Sequence, residues 1–329
     1  MLDIIMPHYK EPWEVGKKFF DMLDLQRGVD FSKIRVILVQ DGEEGTLPPI
    51  TGKKYKVDMF TIPHGGVSAA RNFGMKQATS DWIMFCDFDD LFANVYAVAD
   101  IINVLPADDY DMIWADYISE DKLVNGQMVL HMRKYNMVFI HGKIYRRQFL
   151  IDNDLWFDEE LSFNEDSAFN SIANTVWDPK RIGKLNPTAP LYIWTFTEGS
   201  VTASRDSHGK ALIGLYLRNK KVCEAFKTRL PLDRFCAMVS RVAWDTYHAL
   251  CVDGLPEDMQ WMVDDFKNWW KEYKVFYPMV DPEILKEVIE ISHTEHTLGD
   301  QEEEARWGCD HVGVHRDITF EEWIKEIEA

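Results

Sequence analysis

Short apolar-rich runs alternate with helix-period patterns along the first half of the chain, as βαβ units around a mostly parallel sheet require. Leu2 to Met6, Ile34 to Val39, Val57 to Ile62, Trp82 to Cys86 and Met112 to Ala115 read as buried strands. Apolar positions at helical spacing between them predict helices near Trp13 to Leu25, Ser68 to Ala78 and Val95 to Leu105. From about Ala211 onward the pattern is helical throughout. Ala211 to Thr228, Asp233 to Cys251, Asp258 to Tyr273 and Pro282 to Ile291 are separated by Pro or Gly breaks. The acidic stretch Thr297 to Asp310 reads as a loop. This change of texture divides the chain into residues 1–210, an α/β domain, and residues 211–329, a helical region.

In a parallel sheet, ligands bind outside the carboxyl ends of the strands. Tyr9, Asp41 and the run Asp87-Phe88-Asp89-Asp90 all fall just past predicted strand ends, so one crevice can hold them together. The acidic run carries the sharpest chemistry. Three carboxylates in four residues repel one another and stay ionised cheaply only beside a cation or hydrogen-bond donors. Hard oxygen ligands of this kind suit Mg²⁺ or Mn²⁺, whose coordination is usually completed by substrate phosphates. A helix N-terminal cap is the alternative for such a run. The strand that runs directly into it favours the metal site.

Composition narrows the partners. The formal net charge of −19 makes nucleic acid a poor partner, because an acidic chain repels a polyphosphate backbone. No apolar run reaches the roughly 20 residues of a membrane span. Met1 to Pro7 lacks the basic and long apolar regions of a signal peptide. The five cysteines are odd in number and scattered, which disfavours a disulfide framework and suggests a reducing cytoplasm. Cys309, Asp310, His311 and His315 stand near metal-ligand spacing, but without a second Cys pair they read as surface chemistry.

Seven segments in order resemble glycosyltransferase family 2, of the GT-A fold. They are Ile5 to Tyr9, Val39 to Gly42, Gly65 to Gly74 (GGVSAARNFG), Trp82 to Asp90, Gly142 to Arg147, Phe163 to Phe169 and Tyr192 to Thr202. The resemblance covers roughly residues 1 to 205. It implies a Rossmann-like, mostly parallel sheet flanked by helices, followed here by the helical C-terminal region. It also implies an inverting, metal-dependent transfer from a nucleotide-sugar donor, a UDP-sugar first, to the hydroxyl of a saccharide or another acceptor.

On that resemblance, Pro7 and Tyr9 sit beside the nucleotide base, with Tyr9 offering a face for stacking. Asp41 accepts a hydrogen bond from the base, and Arg71 faces the donor phosphates or fixes the aspartate cluster. Asp89 is the first choice for metal contact, with Asp87 and Asp90 as partners, one of which binds ribose instead. His208 is a third candidate ligand. Asp166 is the expected catalytic base, with Glu165 as competitor, and inverting transfer needs such a carboxylate to take the acceptor proton. Lys143, with Arg146 and Arg147, forms a basic patch for phosphate or acceptor. The acceptor is soluble or membrane-presented, so peripheral membrane contact is compatible with the sequence, and the C-terminal helices shape the acceptor site or a homo-oligomer contact. His141 departs from the aromatic residue common before Gly-Lys, and Glu43-Glu44 departs from the usual Ser/Thr-Asp after Asp-Gly. Two other readings compete: a GT-A-like nucleotidyltransferase, which lacks its Gly-rich basic loop here, and a degenerate binding module, which would lack the carboxylates that are present.

Overall fold

The computed structural model describes residues 1–43, 47–106, 109–123, 125–185, 189–198, 207–307 and 314–329, without the side chains of 207–211 and 295–307. In chain order the first elements are β1 (Leu2–His8), α1 (Trp13–Asp24), β2 (Ile34–Asp41), β3 (Lys56–Ile62), α2 (Gly66–Gln77), β4 (Trp82–Phe85), β5 (Leu91–Phe92) and α3 (Ala97–Val104). Then come β6 (Met112–Trp114), β7 (Tyr117–Lys122), β8 (Met128–Arg133), β9 (Lys143–Arg146), α4 (Arg147–Asp152), α5 (Glu165–Val176), β10 (Ile182–Lys184) and β11 (Tyr192–Trp194). The remainder is α6 (Ser207–Phe226), α7 (Leu232–Leu250), β12 (Val252–Asp253), α8 (Trp261–Tyr273), α9 (Pro282–Trp307), β13 (Val314–His315) and α10 (Phe320–Glu328). Two compact units result, one built from residues 1–121 and 128–198, the other from 122–127 and 199–329.

Among the described residues the first unit holds a seven-stranded sheet in the order β10-β6-β9-β4-β1-β2-β3. It is parallel except for β9, which runs antiparallel to both β4 and β6. Alternation along β1 explains why both faces are covered. Leu2, Ile4 and Met6 pack with Phe19, Phe20 and Leu23 of α1, whereas Ile5 packs with Ala70 and Met75 of α2. Asp3 is fully buried on the second face but satisfied, accepting bonds from the Thr79 and Ser80 amides and the Ser80 hydroxyl. A second sheet, β5-β11-β7-β8, adjoins the carboxyl end of β4 through β5.

The crevice follows from strand pairing. β1 pairs with β2 along its whole length, to His8 opposite Gln40, but with β4 only as far as Ile5 opposite Phe85. Beyond that point the chains part, and strand order reverses here, the place where such sheets bind ligands. Pro7 lies past the β4 pairing, so its missing amide breaks no bond to that neighbour.

In the second unit α7 is the central helix, with α6, α8, α9 and α10 against it. Phe235, Val239, Val242, Ala243, Tyr247 and Leu250 form its buried stripe at helical spacing. Helix α9 continues to Trp307, through residues whose charge suggested a loop. Gln301, Glu302, Glu303, Glu304, Ala305 and Arg306 are strong helix formers, and no proline interrupts them. Cys86, Cys223, Cys236 and Cys251 are free and buried. Among the described residues no helix is long and apolar enough to cross a membrane.

Gly142 turns the chain into β9 with φ +71°, and an added Cβ would meet the Ala115 carbonyl oxygen at 2.6 Å. Gly142→Ala is therefore expected to lower stability by about 1–3 kcal/mol from left-handed strain alone. Urea unfolding followed by tryptophan fluorescence checks this, and an unchanged midpoint contradicts it.

Candidate active site

The end of β1 delivers His8 and Tyr9 to the crevice. His8 is buried, packs edge-on against Phe88 at 4.6 Å and places Nε2 2.8 Å from the Glu11 carbonyl oxygen. Tyr9 is partly exposed, stacked on His64 at 4.5 Å with an interplanar angle of 12°. The ammonium of Lys10 lies over the Tyr9 ring, 4.8 Å from its centre. Asp41 ends β2 with both oxygens engaged. It accepts from the Gly65 and Gly66 amides at 2.7 and 2.9 Å and pairs with His64 Nδ1 at 2.8 Å. Tyr9, Asp41 and His64 thus form one group, in which His64 stands between the two residues expected at the base.

The acidic run leaves β4 and is aimed by its one apolar member. Phe88 is buried against α1 at Gly16, where an added Cβ would fall 2.1 Å from the ring. Burying Phe88 turns its neighbours Asp87 and Asp89 toward the crevice. Asp90 is fully buried and doubly bonded, to the Tyr192 hydroxyl at 2.6 Å and the Thr195 amide at 2.8 Å. The same Tyr192 oxygen accepts from the Asp87 amide at 3.1 Å. Burial, and then repulsion from Asp87 and Asp89, push Asp90 well above the ordinary carboxylate range. Burial raises Asp89 too. Its carboxylate borders a cavity of about 380 Å³ lined also by Val15, Lys18, Glu120, Thr197 and Glu198.

Arg71 joins the acidic run to α5. It rises from α2 and is only 3% exposed. Its guanidinium donates to Asp87 at 2.8 Å and to Glu165 at 2.7 Å, with Phe157 5.3 Å beneath it. Burial opposes its charge, but Asp87, Glu165 and Asp166 outweigh burial and raise its pKa. Burial likewise works against the Asp87 carboxylate, and Arg71 overcomes it to hold Asp87 below the usual range.

Asn164, with φ +60°, kinks the chain into α5, so Glu165 and Asp166 occupy the first helical turn. The Ser167 amide donates to Asp166 Oδ1 at 2.7 Å. Burial and the neighbouring Glu165 raise Asp166 to about 7. Lys143 is buried as well, its Nζ donating to the Phe139 carbonyl, and burial lowers it to about 7 against the pull of Asp166. Arg146 donates to the Tyr110 carbonyl at 2.6 Å and Arg147 to the Ser80 carbonyl at 3.1 Å, so these two hold backbone in place.

Whether a divalent ion fits is tested by the donor atoms themselves. Among the described residues, Asp87, Asp90 and His141 bring potential ligand atoms within 4.8 Å of one another. His141 Nδ1 is buried without a hydrogen-bond partner, 3.8 Å from Asp90 Oδ2. Burial lowers the His141 pKa to about 4, which keeps its imidazole neutral and able to coordinate. An acidic set with an orphaned imidazole nitrogen fits a divalent cation. His141 stacks on Tyr192 and Trp194, and neither it nor Tyr192 stood out as a site residue in the sequence. The signal was there in His141 itself, a polar residue at a position where an aromatic one is common. The side chain of His208, and Gly199 to Thr202, lie outside the described residues.

The model of the family described as Glycosyl transferase family 2 matches residues 3–163. An uncharacterized glycosyltransferase of Haemophilus influenzae is 31% identical over 99 residues, covering 29% of this chain and 38% of that one. The poly(ribitol-phosphate) beta-N-acetylglucosaminyltransferase TarS of Staphylococcus aureus is 26% identical over 209 residues, covering 57% of this chain and 35% of that one. The chain thus spans well under half the length of these relatives. The crystal structure of S. aureus TarS 1-349 in complex with UDP-GlcNAc superposes with a TM-score of 0.59 at 17% identity, over 91% of this chain and 92% of that one. The corresponding complex with UDP gives 0.57 at 19% identity, over 92% and 88%. These likenesses establish the GT-A fold.

Removing the Arg71 charge leaves Asp87, Glu165 and Asp166 half-buried and mutually repelling. Arg71→Met is expected to destabilise the folded chain by about 3–5 kcal/mol at neutral pH. Denaturant unfolding measures it. A cost below about 1 kcal/mol would mean the guanidinium does not hold these carboxylates.

Proposed function

We propose, from the premise that residues 3–163 belong to glycosyltransferase family 2, that this chain transfers a sugar with inversion from a UDP-sugar to an acceptor hydroxyl. One observation carries the reading. The buried Arg71 binds both Asp87, at the end of β4, and Glu165, at the start of α5, so the acidic run and the candidate base share one site. UDP-GlcNAc is the first donor to test, since TarS 1-349 has been crystallised with it.

In this reading the base lies against Tyr9, near His64 and Asp41. Asp166 takes the proton of the acceptor hydroxyl as that oxygen attacks the anomeric carbon from the face opposite the diphosphate. The bond from that carbon to the diphosphate oxygen breaks, and its electron pair leaves with UDP. Asp89, Asp87 and Asp90, with His141 as a further donor, are the proposed holders of Mn²⁺ or Mg²⁺. Such an ion offsets the charge that builds on the departing diphosphate. Arg71 keeps Asp87 ionised, and the buried surroundings of Asp166 raise its basicity to suit neutral pH.

Calorimetric titration with UDP, with Mn²⁺ and then with chelator, tests the donor site. Binding is expected only with metal, and Asp89→Ala should weaken it by about tenfold or more. Metal-independent binding, or none by the folded chain, overturns the donor assignment. The base is tested by sugar transfer. Asp166→Asn should lower kcat by about 10²–10⁴ while UDP still binds. Because Asp166 is protonated below about 7, turnover should rise with pH across that value and flatten above it. A profile without that limb, or an Asp166→Asn variant with full turnover, removes Asp166 as the base.

A further inference from the structure

Cys309, Asp310 and His311 lie outside the described residues. Within the described residues, the group around Tyr9 carries the donor reading a step further. That reading sets the nucleobase against Tyr9, yet the Tyr9 ring is already engaged by two groups of this chain. His64 stacks on it with ring centres 4.5 Å apart and planes inclined by only 12°. The Lys10 ammonium stands over the same ring, 4.8 Å from its centre. Lys10 adopts φ +66°, a left-handed conformation unusual for lysine, in the turn that brings its ammonium there. A ring that already carries a second ring and a cation has little face left for a nucleobase.

His64 is fixed by the end of the sheet. Asp41, the last residue of β2, stands opposite Ile62, the last of β3, and the Gly42 amide donates to the Ile62 carbonyl at 2.9 Å. Two residues further on, His64 comes alongside Asp41, with Nδ1 2.8 Å from Asp41 Oδ2. The carboxylate is the acceptor, so Nδ1 carries the proton. Gly66, at φ +88°, turns the chain so that the successive amides of Gly65 and Gly66 point at the same carboxylate. Asp41 is only 3% exposed and takes all three donors, which fixes the plane of the imidazole. Tyr9 covers one face of that imidazole, yet the side chain is still 58% exposed, so its outer face is open.

We propose that His64, and not Tyr9, is the aromatic face on which the nucleobase of the donor stacks, with Tyr9 behind it as support. This rests on the UDP-sugar reading of the same site and adds the residue that touches the nucleobase. Every nucleobase has a π-face, so the His64 ring contributes affinity and not the choice of uracil. A ring held by Tyr9 and Asp41 before the donor arrives has little freedom to lose on binding, which lets a small aromatic group contribute.

Calorimetric titration of the full chain with UDP and Mn²⁺ tests this, comparing the parent with His64→Ala and His64→Phe. The side chain is largely exposed, so both variants are expected to fold, and circular dichroism checks that. His64→Ala should weaken UDP binding by about fivefold or more. His64→Phe keeps the face and loses the bond to Asp41, so it should stay within about threefold of the parent. In nuclear magnetic resonance spectra of the UDP complex, the uracil H5 and H6 protons should show cross-relaxation to the His64 ring, whose signals His64→Phe identifies by removing them. The proposal is overturned if folded His64→Ala binds UDP within about twofold of the parent, or if His64→Phe binds as weakly as His64→Ala. Cross-relaxation to the Tyr9 ring in place of His64 also overturns it. Failure of the donor reading is a separate outcome: a folded parent that binds no UDP removes that reading, and this proposal with it.

Discussion

The first unit is organised around one buried cation. Arg71 holds Asp87 and Glu165 at hydrogen-bond distance inside a site where carboxylates outnumber bases. Burying several like charges together is expensive unless a fixed opposite charge lies among them. A guanidinium suits this better than an ammonium, because its planar fork reaches two carboxylates at once and it does not lose its proton. The helix carrying Arg71 is in turn pressed tightly onto the sheet. An added Cβ on Gly74 would lie 2.4 Å from Ile5, so only glycine lets α2 approach β1 this closely.

The same logic of fixing polar groups through apolar neighbours recurs at the acidic run. Phe88 is buried at Gly16 and beside His8, which orients the carboxylates on either side of it. Asp90, bonded to Tyr192 and Thr195, ties the run to β11 and so to the second sheet. The site therefore draws on β1, α1, α2, β4, α5 and β11. The surrounding core is close-packed and resists deformation, so a shift in any one of these elements passes to the carboxylates.

Element type was readable wherever periodicity is strong. β1, β2, β3 and β4, and helices α1, α2 and α7, lie within a few residues of where the apolar pattern puts them. Helix α9 beyond Thr297 was not, because charge was read as a sign of a loop whereas Glu, Gln, Ala and Arg are strong helix formers. β9 was not legible either. Gly142 to Arg147 suggests a basic surface patch, yet Lys143 is buried between strands and Arg146 covers the Trp82 ring at 4.6 Å. No local pattern announces that a chain returns antiparallel into a parallel sheet.

The sequence alone determined the alternating α/β order, the placing of Tyr9, Asp41 and the acidic run at or just past strand ends, and the family resemblance. It did so because strand and helix periodicities are local, and because the segments that carry chemistry are short and contiguous. Tertiary structure decided which charges meet. Arg71 finds Glu165 across 94 positions of sequence, and Tyr192 finds Asp90 across 102. It also left His141 Nδ1 buried without a partner. Burial sets the protonation of Asp90 and His141, and it depends on the neighbours that packing supplies.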